Sequence, residues 1–345
     1  RRLEQWKWSD FRQGLSKLTE TGGDPAACLK PDTDVLTITF DGDGWSWPET
    51  LPDGLKIFDT AGGHDFGQAD ELPLGALTAA MTGTEAADTV MIEVSGKIDR
   101  PVMLDVQGSG KASFGRIVFV VRKGCEIDLI EHYRGGASLT SMLAEFGLED
   151  GAMVNRTVQQ TASRADTVAL TSTAHLGEGA NFQQTSLAFG AKLARLETRL
   201  EHKGEGANAV LNAAYLARSG YHVDITTDVI HSAESCVTEQ LTKGAVSDGG
   251  RGVFQGKFLV PRTVGQYTDA NMQHQALLLE NGAEVFAKPE LEIYADDVEC
   301  EHGNTSGQLD EIALFYMRQR GIPLREARAL LTEAFILEAL ERAHP

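Results

Sequence analysis

Residues 177–208 read GEGANFQQTSLAFGAKLARLETRLEHKGEGAN, and the architecture of the chain can be inferred outward from them. The segment begins and ends with the same string, Gly-Glu-Gly-Ala-Asn, and two strand-like runs lie between the two copies. A turn string that returns after a fixed interval, with short strands in between, is typical of a solenoid in which each repeat stacks on the one before it. Glycine suits such a turn because it adopts positive φ without a steric cost.

Related turn strings recur through the middle of the chain. Their central glycines are Gly124, Gly151, Gly179, Gly206 and Gly282. The first three steps are 27, 28 and 27 residues, and the last step of 76 residues is close to three further units. A two-sheet sandwich with evenly spaced hairpins is the alternative, but the fixed interval favours a parallel β-helix. We therefore expect a mainly β protein whose β-helix core spans residues 55–304, with Asn271–Val298 in its last rungs.

Residues 1–54 form a separate N-terminal region, because their composition and residue spacing differ from those of the repeats. Trp6, Trp8, Phe11 and Leu15 recur at helix-like spacing, and a passage rich in glycine, aspartate, proline and tryptophan follows them. This pattern predicts a partly helical segment ahead of the β-helix.

The C-terminal region, residues 305–345, changes to a helical period. Thr305 and Gln308 match a capping box at the start of a first helix, and Gly321 is a natural stop for it. The pattern predicts a helical hairpin, with the second helix over residues 323–342. Its apolar surface is wider than one stripe. Either all of this surface packs inward, or part of it contacts a partner.

Composition and charge exclude several classes of protein. Of the 345 residues, 42% are hydrophobic and 23% are charged, which is ordinary for a folded globular chain. The net charge of −19 argues against non-specific nucleic-acid binding, which depends on Lys and Arg neutralising phosphates. No apolar run is long enough to cross a membrane, and the first residues lack the apolar core of a secretory signal. We expect a cytoplasmic protein without nucleic-acid or membrane partners.

Most of the cysteines and histidines carry no motif. The four cysteines are Cys28, Cys125, Cys236 and Cys300, and their spacing matches no zinc or Cys₄ cluster site. The first three are expected to behave as small buried hydrophobes. Histidines within strands are usually satisfied by local hydrogen bonds, and we assign no role to His132, His175, His202, His222, His231 and His274.

The segment 288–309, KPELEIYADDVECEHGNTSGQL, contains the sharpest candidate site. Cys300 and His302 are two residues apart, so in an extended strand they share a face. A thiol and an imidazole at this distance suit iron or copper, but two ligands make only half of a site. The other ligands must come from elsewhere in the fold or from a second chain. Considered alone, a Cys-x-His pair is more often structural.

Together with Arg251–Phe258 (RGVFQGKF) and Leu314–Ile322 (LFYMRQRGI), this segment closely resembles the SufB/SufD family of the SUF iron–sulfur cluster assembly machinery. The string IYADDVECEHG resembles its SufD-type members more than its SufB-type members. The resemblance is dense over residues 196–338 and looser before them. It implies a right-handed parallel β-helix.

The same resemblance implies a non-catalytic scaffold. Such a subunit pairs with SufB as a heterodimer and docks the ATPase SufC through its C-terminal helices. His302, and Cys300 beside it, would face SufB and take part in cluster assembly. An iron–sulfur cluster would be held transiently on the assembled complex, and no cofactor is expected on the isolated chain. In isolation the chain would be able to form a homodimer in place of the heterodimer.

The segment Arg251–Phe258 also faintly resembles a P-loop, but it departs from that motif at both ends. Arg251 stands where the first glycine is needed, and Phe258 stands where a Ser or Thr must bind Mg²⁺. We therefore expect no nucleotide site in this chain.

A second hypothesis is a β-helix polysaccharide lyase or hydrolase. Asp296, Asp297, Glu299 and Glu301 would then be the carboxylates of an acid/base or Ca²⁺ site. The predicted helical C-terminus and the missing secretory signal argue against this hypothesis, because such enzymes are commonly secreted.

Overall fold

The computed structural model of the protein describes residues 4–11, 15–28, 31–59, 71–82, 89–262 and 266–341. The strands in these ranges are β1 (Leu36–Phe40), β2 (Trp45–Ser46), β3 (Leu55–Asp59), β4 (Thr89–Val94), β5 (Val102–Val106), β6 (Ala112–Val121), β7 (Glu126–Tyr133), β8 (Leu139–Leu148), β9 (Met153–Gln160), β10 (Thr167–Leu176), β11 (Asn181–Ala188), β12 (Leu193–His202), β13 (Asn208–Ala217), β14 (His222–His231), β15 (Val237–Val246), β16 (Arg251–Val260), β17 (Asp269–Leu278), β18 (Glu284–Ile293) and β19 (Glu299–Gly307). The helices are α1 (Pro73–Thr82), α2 (Glu311–Gln319) and α3 (Leu324–Glu341), and a short 3-10 turn spans Glu4–Trp6.

Consecutive strands alternate between two sheets from β4 onward. Sheet A contains β1, β2 and the odd-numbered strands from β5 to β19, and sheet B contains β3 and the even-numbered strands from β4 to β18. Each strand from β6 to β17 pairs in parallel with the strand one coil before it and the strand one coil after it, as Leu170 of β10 does with Met142 of β8 and Leu196 of β12. The predicted parallel β-helix is confirmed, with about 8 turns, and the antiparallel sandwich is wrong. Antiparallel pairs occur between β1 and β2 and between β3 and β4.

The corners that lead from sheet B to sheet A follow the glycine repeat at first. In four successive coils the corner residue has φ between 60° and 67°, and these residues are Gly124, Gly151, Gly179 and Gly206. In the next two coils the same corner is occupied by Ser235 and Tyr267, both with φ of 57°. Gly282, with φ of 82°, lies at the opposite corner between β17 and β18. The step of 76 residues is therefore not three whole units, and that part of the repeat prediction is wrong.

The main core lies between the two sheets. Alternate residues of each strand point inward, and parallel register stacks like side chains from coil to coil. Phe119 of β6 and Phe146 of β8 are aligned in this way and their rings stack at a centroid distance of 4.8 Å, and Phe182 of β11 meets Phe146 edge-on from the opposite sheet at 5.4 Å. All three are at most 1% exposed, and burying each ring contributes roughly 2–3 kcal/mol. These rings are part of a large apolar core, and no disulfide adds to it, because all four cysteines are free.

Residues 4–11 cover the outer face of sheet B. Trp6 meets Phe11 edge-on at a centroid distance of 5.5 Å, and both rings pack with Ala169 and Leu193 of the sheet. Helix α1 adds cover over β6, β8 and β10. Of the predicted helical segment, residues 12–14 lie outside the described residues. Sheet A also begins before residue 55, because β1 pairs with β5.

Beneath this N-terminal cover lies a buried ionic cluster. The guanidinium of Arg195 donates to Asp224 at 2.8 Å and to Glu197 at 2.7 Å, and it lies 5.0 Å from the centroid of the Trp6 ring. The hydroxyl of Ser9 also donates to Asp224. Arg195 and Asp224 are 0% exposed, so the ion pair has no water to screen it.

The C-terminal region forms two helices, as predicted, but the first helix does not begin at Thr305. Thr305 lies within β19 and aligns with Gln275 of β17, so it does not cap a helix. The cap is Asp310, whose Oδ1 accepts the N–H groups of Ile312 at 2.8 Å and Ala313 at 3.3 Å. The ladder with β17 continues past Thr305, and this pairing overrides the local capping signal.

Helix α3 packs on the outer face of sheet A. Ile336 and Ala339 are buried against Leu241, Ala245 and other apolar residues of β13, β15 and β17. An ion pair between Lys243 and Glu338 adds to this contact. None of the helices in the described ranges is long and apolar enough to span a bilayer.

Candidate functional site

The β-helix ends in a rung formed by β18 in sheet B and β19 in sheet A, hereafter the end rung. Each of these strands pairs with one neighbour, β16 or β17, and lies at the edge of its sheet. Along the described residues, β18 contains no fully buried position, whereas β16 contains seven. The end rung is therefore a solvent-facing cross-section of the core.

Cys300 and His302 lie in an extended segment, as expected, but this segment is a further strand, β19, beyond the predicted last rungs that end at Val298. They align with Ala270 and Met272 of β17, both 0% exposed on the inner face of sheet A. Because in-register residues of a parallel pair lie on the same face, the thiol and the imidazole take inner-face positions of the end rung. No described coil follows to cover them, so His302 is exposed and Cys300 is partly buried.

The two side chains differ in their readiness to bind metal. Burial, together with the nearby charge of Asp269, raises the pKa of the Cys300 thiol to about 11. The thiol is therefore protonated at neutral pH, and ligation requires loss of that proton. His302 is in contact with solvent and accessible to a partner. Of the two side chains, His302 is therefore the more accessible.

The backbone of the end rung offers unequal edges in the two sheets. The N–H of Glu299 donates inward to Thr268 at 2.9 Å, so the alternating amides that start at Cys300 and end at Ser306 point away from β17. In β18 the N–H of Tyr294 donates inward to Val260, which places Pro289 at an outward-facing position. Proline has no N–H, so the edge of sheet B lacks one donor near its middle.

A hydrogen-bonded column ties the end rung to the core. His274 of β17 lies 2.7 Å from the side-chain oxygen of Asn304 through Nδ1 and 3.1 Å from the Tyr215 hydroxyl through Nε2. Its ring stacks on Phe254 at a centroid distance of 4.7 Å. Burial lowers the pKa of His274 to about 4, so it is neutral at physiological pH. These contacts hold the side chain of Asn304, which lies two residues after His302 on β19.

Two other strand histidines each make a local side-chain contact through Nε2, as expected. His202 and His231 stack at 4.8 Å, and each lies 2.9 Å from the Thr238 hydroxyl. The cysteine expectation holds less well. Cys236 is 0% exposed, but Cys28 and Cys125 are partly exposed.

Helix α2 presents apolar side chains to solvent. Ile312, Phe315 and Tyr316 are 80%, 64% and 58% exposed. Helix α3 has apolar residues on two sides: Ile336 is buried on sheet A, whereas Leu330 is 43% exposed. The hairpin therefore packs inward with one side, and its exposed apolar side chains are candidates for a partner contact.

The carboxylates of the lyase hypothesis do not form a site. Asp296, Asp297, Glu299 and Glu301 are all exposed. The three-residue group of potential metal ligands found among the described residues lies elsewhere and consists of Cys28, Asp105 and His132. Sequence reasoning missed this group because its members are far apart in the chain and no local spacing connects them.

Relatives of the chain were found among characterised proteins. It is 37% identical over 166 residues to the iron–sulfur cluster assembly protein SufD of Escherichia coli (strain K12), which covers 48% of this chain and 39% of that protein. It is 28% identical over 356 residues to Protein ABCI7, chloroplastic, of Arabidopsis thaliana, covering 95% of this chain and 72% of that protein. An iron–sulfur cluster assembly SufBD family protein of Mycobacterium leprae is 28% identical over 276 residues, covering 76% and 69%.

The match to the E. coli protein covers well under half of that protein's length. The match to a family model covers more of this chain. Residues 104–335 match the domain described as SUF system FeS cluster assembly, SufBD core domain. This range begins in β5 and ends in α3, so it contains most of the β-helix, the end rung and the exposed side of α2. The chain therefore belongs to the SufBD core family of the SUF iron–sulfur cluster assembly system.

Proposed function

We propose that the protein is a SufD-like, non-catalytic scaffold that pairs with SufB through its end rung and docks the ATPase SufC through α2 and α3. The observation that carries this proposal is the end rung itself, an uncovered cross-section of the core that bears Cys300 and His302. An iron–sulfur cluster is held there only transiently, on the assembled complex. The four free thiols fit a reducing compartment, and we assign the protein to the cytoplasm.

The edge of β19 is the better of the two strand-pairing edges. Its outward amides and carbonyls, from Cys300 to Ser306, are an uninterrupted template for another strand. The edge of β18 is interrupted at Pro289. We therefore propose that SufB adds a strand to sheet A, and that in the absence of SufB a second copy of this chain takes its place.

Ser306→Pro is expected to weaken binding to SufB by about tenfold or more, because it removes one outward N–H and places a ring where the partner strand would approach. The ladder with β17 is unaffected, since the amide of Ser306 points away from it. Titration calorimetry with purified SufB measures the change.

Ser306→Ala is the matched control, because it keeps the backbone N–H. It should bind SufB with the affinity of the unmodified chain. Equal binding by the proline and alanine variants, with unchanged circular dichroism, would contradict pairing through β19.

The docking of SufC is assigned to the exposed side of α2. Deleting residues 323–345 is a poor test, because α3 covers Leu241 and Ala245 and its loss would expose them. Phe315→Glu is sharper, since the ring is 64% exposed and contributes little to the fold. It should lower SufC affinity by more than about tenfold, as expected for a central apolar anchor. A pull-down at several SufC concentrations reports the change.

Met81→Glu serves as the control for this substitution. Met81 is 46% exposed on α1, a helix over the other sheet. The control should leave SufC binding unchanged. Wild-type SufC binding by the Phe315 variant would remove α2 from the docking surface.

The scaffold hypothesis as a whole is tested by co-purification with SufB and SufC, followed by anaerobic iron and sulfide analysis of the complex. The family match and the exposure of the four carboxylates favour it over the polysaccharide lyase. Unsaturated product after incubation with pectin or alginate and Ca²⁺ would reverse that preference.

A further inference from the structure

We propose that Cys28, Asp105 and His132 form a binding site for one divalent transition-metal ion of the Zn²⁺ or Fe²⁺ class. One donor atom from each side chain lies within 4.8 Å of the other two. Thiolate, carboxylate and imidazole are the ligand types that such ions take in proteins. This site is independent of the end rung and of the scaffold function.

Two of the ligands are fixed by the β-helix. Asp105 of β5 and His132 of β7 are directly aligned in adjacent parallel strands, whose backbones lie about 4.8 Å apart. Both alternate with core residues such as Leu104 and Tyr133, so they share the outer face of sheet A. A rigid sheet therefore holds the carboxylate and the imidazole side by side.

The third ligand is delivered by the N-terminal segment. Ala26, two residues before Cys28, exchanges two hydrogen bonds with Arg134: its N–H donates to the Arg134 carbonyl at 3.0 Å, and its carbonyl accepts from Nη1 at 3.1 Å. These bonds dock the segment at the end of β7. Cys28 is thereby held over Asp105 and His132, although they are distant in sequence.

Neighbouring side chains orient the ligands. Arg134 donates to both oxygens of Asp105, at 2.6 Å and 3.2 Å, and the Thr161 hydroxyl lies 2.8 Å from Nε2 of His132. Hydrogen-bonded carboxylates and imidazoles are usual around protein-bound metals. Each carboxylate oxygen keeps a second lone pair for a cation. With a thiolate at Cys28, the two anions and Arg134 leave one net negative charge to meet the ion.

The geometry describes an open site. Four-coordinate zinc has bonds of about 2.0–2.3 Å, which places donor atoms roughly 3.5 Å apart. Binding therefore needs a shift of about 1 Å, which the Cys28 segment can supply because it lies outside any helix or strand. Cys28 is partly exposed, so water can complete the coordination. Six strand spacings separate β7 from β19, or roughly 30 Å, so this ion does not reach the end rung.

The test uses the full chain with Cys300→Ser and His302→Ala, so that the end rung contributes no ligand. Co²⁺ is the spectroscopic probe and Zn²⁺ the competitor. We expect about one equivalent of Co²⁺ to bind with a thiolate-to-metal charge-transfer band, and Zn²⁺ to displace it. Cys28→Ser should abolish the band and weaken Zn²⁺ binding by more than about 100-fold, and His132→Gln should also weaken it. Cys125→Ser, which removes another partly exposed thiol, should change neither.

A second measurement needs no substitution at the site. Zn²⁺ should slow the alkylation of Cys28 by at least about tenfold and leave that of Cys125 unchanged, as mapped by mass spectrometry. Equal alkylation rates with and without Zn²⁺, or a cobalt band that persists in Cys28→Ser, would overturn the proposal. Neither readout involves SufB or SufC, so the result is separate from the fate of the scaffold hypothesis.

Discussion

Arg195→Met is expected to lower the free energy of unfolding by about 3–5 kcal/mol, the loss typical of removing one partner from a buried ion pair. The guanidinium neutralises Asp224 and Glu197, and Arg195 and Asp224 are inaccessible to water. Methionine fills much of the volume but leaves two carboxylates without a counter-charge. Urea unfolding at neutral pH, followed by circular dichroism, measures the loss.

Arg122→Met provides the comparison. Arg122 also bridges two carboxylates, Glu93 and Glu149, but its side chain is 45% exposed. Its loss should cost at most about 1 kcal/mol, because solvent screens the pairs. Adding Asp224→Asn and Glu197→Gln to Arg195→Met should recover part of the stability. Equal losses of unfolding free energy for Arg195→Met and Arg122→Met would show that the buried cluster stabilises the fold no more than an exposed one.

His302→Ala is expected to reduce cluster formation on the complex with SufB and SufC by about tenfold or more, the scale of change seen when a metal site loses a ligand or its support. Folding and pairing should be nearly unchanged, because the imidazole is exposed on the end rung. His302→Gln should behave like alanine, since an amide is a much weaker ligand. Iron and sulfide content after anaerobic reconstitution gives the measurement.

Glu301→Gln is the matched control for His302. It changes the neighbouring exposed residue on the opposite face of β19 and removes a charge without removing a ligand at the inner-face positions. Its cluster yield should equal that of the unmodified complex. Wild-type maturation in both His302 variants would make the imidazole structural and end its assignment to the site.

The β-helix could be predicted because its corners need a residue with positive φ at regular intervals, and glycine adopts positive φ most easily. The predicted glycine repeat failed in the coils where a residue other than glycine adopts positive φ at the corner. At Ser235 and Tyr267, the corner N–H groups still donate to the next coil, to Gln266 at 2.9 Å and to Asp297 at 2.7 Å. The Gly206 corner makes the same bond to Glu234 at 3.1 Å. Coil-to-coil hydrogen bonding therefore compensates the roughly 1–2 kcal/mol cost of a left-handed non-glycine residue.

The candidate site was predictable only where neighbours in sequence are neighbours in space. Cys300 and His302 share a face because a strand repeats every two residues, which the sequence states directly. Thr305 matched a capping box in the sequence, but the pairing of β19 with β17 places it in a strand. Cys28, Asp105 and His132 meet only because the N-terminal segment docks on sheet A, and no spacing in the chain encodes that contact.

Pro289 has a consequence for how large an assembly can grow. A solenoid with two complete edges at its end could add further copies head to tail, and a heterologous contact of that kind does not close but extends into a filament. Continuing the stack requires both sheets to pair at once, and the missing amide in β18 removes a donor from one of them. At the opposite end, β2 and β3 run antiparallel to their neighbours and do not repeat the parallel register. Both ends of the β-helix thus oppose head-to-tail growth into a fibre.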